Sequence, residues 1–133
     1  MLVVTFWLVD EIMGNKEQKW AYSEPECIKR LLSVEDAMYV IGGKWKLKIV
    51  IAVVSGHNRF NELQRTIKGI SARVLSNELK HLEENGLIQR VVHSDRMPVV
   101  VEYIKTEYTK TLKDVLDTLG DWGIKHKMTI TGK

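Results

Sequence analysis

A mainly α fold with one small β-hairpin is what these 133 residues predict, on three observations. The stretch from Arg59 to Arg90, RFNELQRTIKGISARVLSNELKHLEENGLIQR, sets two short helical segments around a glycine corner. Two β-branched runs, Leu87 to Val92 and Val99 to Ile104, flank the polar turn HSDRMP. Tyr108, Leu112, Val115, Leu116, Leu119 and Trp122 then trace one face of a long terminal helix. Helix, corner, helix and hairpin make the α+β layout of a winged helix-turn-helix, leaving flanking helices over for a dimer interface.

Each element has its own local reason. Val34, Ala37, Met38 and Ile41 recur at helical spacing until Gly42 and Gly43 interrupt them. KWKLKIVIAVVSG is ambiguous: its valines and isoleucines favour a strand, while Trp45, Ile49, Ala52 and Val53 also form a helical stripe. Asn61 can cap the next helix, Gly69 can take the left-handed conformation that ends it, and Ser71 can cap the helix that follows. Gly86 stops that second helix, and Leu87 falls where an apolar contact back to Leu82 closes a Schellman turn. Thr106 offers an N-cap to the terminal helix.

Placed every 100° around its axis, the helix from Ser71 to Asn85 divides into two sides. Leu75, Leu79 and Leu82 face a core; Arg73, Ser76, Asn77 and Lys80 face away, with His81 at their margin. The outward set suits a DNA groove, because Arg pairs in bidentate fashion with guanine and Asn with adenine, while Ser lets the backbone approach. A plain solvated face is the alternative. Glu84 shares the outward azimuth but lies at the far end, and such helices read bases with their N-terminal residues.

Composition sets the limits. The hydrophobic fraction is 44%, the charged fraction 28% and the net charge +3, with a pI of about 9.0, which suits one globular domain compatible with a nucleic-acid partner. With Cys27 alone no internal disulfide forms, and a reducing compartment, by default the cytoplasm, is expected. Cys27 is read as an inert small apolar residue or as an oxidant sensor. The strip Leu2 to Val9 is far shorter than the ~20 residues of a spanning helix and lacks a signal peptide's leader. It is expected to pack on its own domain or on a second subunit, unless Met13 is the native start. His57, His81, His93 and His126 are scattered, so no zinc site is signalled. No nucleophile motif or phosphate-cradling glycine loop appears, which argues against an enzyme, and no cofactor is expected.

Taken together, SVEDAMYVIGGKWKLKIV, RFNELQ, GISARVLSNELKHLEENGLIQR and VEYIKT resemble the HxlR-type bacterial transcriptional regulators, relatives of the MarR-like winged-helix proteins. The match runs from about Val34 to Trp122. The resemblance implies a helix over Trp45 to Val54 and a homodimer held by the terminal helix and N-terminal elements. Three features depart from the pattern: Leu32 stands where many members have a cysteine, Val100 where the wing often has an arginine, and Lys105 and Thr109 replace a leucine and a glycine.

The expected organisation is an N-terminal extension over 1–32, a winged core over 33–105 and a dimerisation helix and tail over 106–133. The expected function is sequence-specific regulation of transcription by a homodimer, as repressor or activator, on a pseudo-palindromic operator in double-stranded DNA. Helix 71–85 would enter the major groove and the wing, 93–99, would meet the flanking backbone or minor groove. Arg59 and Arg65 would approach the phosphates, Ser71 would bind one at a positive helix terminus, and Arg96 would reach a minor groove. A small-molecule effector could bind where the dimer helices meet the core, with Tyr39, Trp45, Tyr108 and Trp122 either lining that pocket or simply packing. The alternative function is a winged-helix adaptor that contacts protein and not DNA.

Overall fold

The computed structural model describes residues 20–132. The apolar strip Leu2 to Val9 and the alternative start at Met13 lie outside them. The described chain forms two compact units: 20–29 with 114–132, and Arg30–Lys113.

Helix α1, Glu24–Ile41, opens on a capping box. The Glu26 amide donates to Ser23 Oγ at 3.4 Å, and the Ser23 amide donates to Glu26 Oε2 at 3.2 Å. Gly42 follows its last residue, and only glycine fits there: a Cβ would sit 2.2 Å from the Met38 carbonyl oxygen. None of its residues is buried, so the stripe of Val34 and Met38 faces outward.

The ambiguous stretch is a helix, α2, Lys46–Val54, and it buries Ile49, Val50, Ala52 and Val53. Helix α3 runs over Phe60–Thr66. Asn61 does not cap it. The Asn58 carbonyl accepts the Tyr103 amide at 2.8 Å, and Arg59 leaves that contact extended at φ −105, ψ 146. Helical backbone therefore begins at Phe60, and Asn61 already lies inside the first turn, where a capping geometry is not open to it. After α3 the chain buries Ile67 and Ile70 and turns at Gly69 with φ +89.

Helix α4, Ala72–Glu84, is capped by Ser71, whose Oγ accepts the Val74 amide at 3.2 Å. It buries Leu75, Leu79 and Leu82. The Leu87 amide donates to the Leu82 carbonyl at 3.0 Å and Gly86 sits at φ +76, the Schellman ending that the sequence predicts. Strands β1, Ile88–His93, and β2, Val100–Lys105, pair antiparallel, with Val91 opposite Glu102 and His93 opposite Val100. Both strands sit one residue later than the apolar runs suggest. The fold is thus mainly helical with a two-stranded wing, as expected.

Beyond β2 the expectation of one uninterrupted helix fails. A 3₁₀ turn, Tyr108–Leu112, comes first, and the α-helix α5 spans Lys113–Thr131. Thr106 and Thr109 cause the break. The Thr106 amide donates to Thr109 Oγ1 at 2.8 Å and the Thr109 amide to Thr106 Oγ1 at 3.3 Å. Their hydroxyls donate in turn to the carbonyls of Gly86 at 2.7 Å and Leu87 at 2.6 Å. Thr106 therefore bonds into the 3₁₀ turn, whose N-cap position is Glu107, and does not cap α5. Leu112 is only 9% exposed within this chain's own core, whereas Tyr108, Val115, Leu119 and Trp122 are exposed and Leu116 is half-buried.

Candidate nucleic-acid interface

The core decides which side of α4 is free. Leu75 and Leu82 are 0% exposed and Leu79 is 1% exposed, so rotation about the axis leaves Arg73, Ser76, Asn77 and Lys80 outward, and all four are exposed. Ser71 is exposed at the same helix's N-terminus, where unpaired amides and the helix dipole favour an anion. Arg59 immediately precedes α3, Arg65 lies in its last turn, and Arg96 lies in the wing turn, each exposed. The Arg96 amide reaches the His93 carbonyl at 3.4 Å, closing that turn. Every residue that the sequence led us to expect at a DNA surface is therefore open to solvent within the unit Arg30–Lys113.

Several contacts hold this surface in place. Lys46 Nζ of α2 meets Glu78 Oε2 of α4 at 2.9 Å, with side chains only 14% and 22% exposed. The pair fixes α4 against α2 and neutralises a carboxylate that shares the helix with Arg73 and Lys80. His81 turns away from the outward set. Its ring meets the Tyr39 ring edge-on at 5.5 Å, and its buried Nδ1 has no hydrogen-bond partner. Beside the wing turn His93 Nε2 lies 2.8 Å from Glu102 Oε1, and before α3 His57 Nδ1 lies 2.7 Å from Glu62 Oε1.

A second group of cations escapes sequence reasoning. Lys44 and Lys48 place their ammonium groups 4.7 and 5.3 Å from the centre of the Trp45 ring. Trp45 also lies against the corner before α4, since a Cβ on Gly69 would come within 3.8 Å of it. Lysines on both sides of one aromatic, at positions i−1 and i+3, are the signal that was available in KWKLK. Of the aromatics considered for a pocket, Tyr39, Tyr108 and Trp122 are exposed and Trp45 is half-buried, so none is a fully buried core residue of the single chain. Trp122 stacks on His126 at 5.0 Å.

Among the described residues, no group of acidic, histidine and cysteine side chains could hold a metal ion. No helix there is long and apolar enough to cross a membrane.

Comparison with known proteins agrees with this geometry. A family model described as HxlR-like helix-turn-helix matches residues 40–131. YtcD of Bacillus subtilis (strain 168), an uncharacterized HTH-type transcriptional regulator, is 39% identical over 101 residues, 76% of this chain and 79% of its own. Its crystal structure superposes with a TM-score of 0.66 at 40% identity, over 70% of this chain and 94% of that one. An uncharacterized HTH-type regulator of Methanothermobacter thermautotrophicus is 43% identical over 93 residues, 70% of each chain. A MarR-family regulator from Enterococcus faecalis V583 gives a TM-score of 0.66 at 29% identity, covering 89% of this chain and 100% of its own. With the matched region spanning α2 to α5 and the helix pair and wing in place, the chain belongs to the HxlR-like helix-turn-helix family and is a transcriptional regulator of the helix-turn-helix type.

Proposed function

We propose that the protein acts as a homodimer that binds double-stranded DNA at a pseudo-palindromic operator, repressing or activating transcription there. Helix α4 enters the major groove, where Arg73 and Asn77 read base edges and Lys80 meets base or phosphate. Ser71, Arg59 and Arg65 contact the backbone, and the wing with Arg96 lies at the flanking backbone or minor groove. The observation that carries this reading is the division of α4, whose leucines are sealed in the core while its polar and cationic side is exposed from Arg73 to Lys80.

Support for the dimer comes from α1 and α5, neither of which buries a single residue within the chain. Leu31, Leu32 and Met38 on the first, and Val115, Leu119 and Trp122 on the second, leave apolar surface that a second copy would cover. A two-fold arrangement sets the half-sites about 34 Å apart or a multiple of it.

Salt dependence tests the proposal. If a dimer neutralises about 6 to 10 phosphates, affinity for duplex DNA falls by roughly three to five decades between about 50 and 200 mM salt. Affinity unchanged by salt, or no duplex binding at low salt, would exclude it.

A further inference from the structure

An open groove of about 380 Å³ lies between α2, the His57 loop and the C-terminal end of α3. Its size is that of a small-molecule site. Ile51, Ala52 and Ile67 supply an apolar floor, and Lys48 and Lys68 bring two cations to it. Ala52 and Ile67 belong to the core, but Ile51 is 49% exposed.

The polar groups here divide by what they already do. Ser55 Oγ donates to the Ile51 carbonyl at 2.7 Å, and Thr66 Oγ1 donates to the Glu62 carbonyl at 2.8 Å. His57 Nδ1 is held by Glu62 at 2.7 Å. Among the described residues, neither Lys48 nor Lys68 has a carboxylate partner. The Lys48 ammonium lies 5.3 Å from the centre of the Trp45 ring. Both lysines are exposed, and they are the groove's charged side chains without a carboxylate partner among the described residues.

We propose that this groove binds a small organic anion, an acidic head group on an apolar body. The head would lie between Lys48 and Lys68, and the body on Ile51, Ala52 and Ile67. A bare phosphodiester would use the lysines and leave the floor uncovered. A wholly apolar ligand would cover the floor and desolvate two ammonium groups without compensation. Only a molecule carrying both features satisfies both halves of the groove. Lys68 lies next to Gly69, so the site adjoins the turn into α4, and occupancy is readable on backbone amides there.

The test is a ¹H–¹⁵N NMR titration of the full chain with phenyl phosphate, beside inorganic phosphate and phenol as head-only and body-only probes. No DNA is present, so its outcome is independent of the proposed DNA binding. Saturable shifts are expected at the amides of Ile51, Ala52, Ile67 and Lys68, with each partial probe weaker by about tenfold or more. Ile51→Ser, and Lys48→Gln combined with Lys68→Gln, should each weaken phenyl phosphate by about tenfold or more, while Lys110→Gln leaves it unchanged. Absence of saturable shifts up to about 10 mM ligand overturns the proposal. So does equal affinity for inorganic phosphate, the mark of a nucleic-acid backbone clamp, equal affinity for phenol, or a double lysine variant that binds like the parent.

Discussion

Ser71 leaves the glycine corner extended, at φ −80 and ψ 157, and its hydroxyl oxygen accepts the Val74 amide. One residue thus starts α4 and stands at its positive end, so helix stability and the proposed phosphate contact share a side chain. Ser71→Ala should lower unfolding free energy by about 1 kcal/mol, and Ser71→Gly by only a few tenths, as read by urea denaturation. Equal losses for the two would mean that the cap is not what holds the helix start. This cap was legible in the sequence because donor and acceptor lie three residues apart. The Lys46–Glu78 pair was not, because it joins residues 32 positions apart on different helices. The lysines around Trp45 were missed for a related reason: their significance lies in the approach of Gly69, which only the fold brings there.

At the level of elements, periodicity decided what could be read. The division of α4 into leucine and polar sides survives folding unchanged, because a strongly two-sided helix has one way to pack. KWKLKIVIAVVSG was undecidable by pattern, since its valines and isoleucines favour a strand while Trp45, Ile49, Ala52 and Val53 form a helical stripe; its helical state needed the family resemblance and then the coordinates. Misplaced boundaries trace to long-range bonds. Tyr103 to Asn58 sets where α3 starts, and the bonds from Thr106 and Thr109 to Gly86 and Leu87 split a 3₁₀ turn from α5. Thr109 is 4% exposed, and its hydroxyl accepts the Thr106 amide and donates to the Leu87 carbonyl. Thr109→Val should therefore cost about 1–3 kcal/mol, because the Leu87 carbonyl and the Thr106 amide lose their partner, whereas Thr109→Ser keeps most of it. Denaturation midpoints of the two variants check this; a valine variant as stable as the parent would show the latch to be idle.

On the scale of the whole molecule, the described residues form two compact units, and neither of the long helices α1 and α5 buries a residue. The terminal stripe read from the sequence divides accordingly. Leu112 belongs to the chain's own core, and Val115, Leu119 and Trp122 remain exposed, the surface that the proposed second copy would cover. Because Leu119 is exposed in the single chain, Leu119→Asp should leave the fold intact. It should still shift sedimentation from dimer toward monomer and weaken operator binding. A variant that stays dimeric would move the interface away from this stripe. The most direct test of the account is competition binding of the parent and Arg73→Ala to a duplex selected by the parent and to a scrambled one. The parent should prefer the selected duplex by about three decades or more. The variant should lose about 1–3 kcal/mol on it, with discrimination relaxed at one base position. Equal affinity of both proteins for both duplexes would contradict the assignment of α4 as the helix that reads DNA.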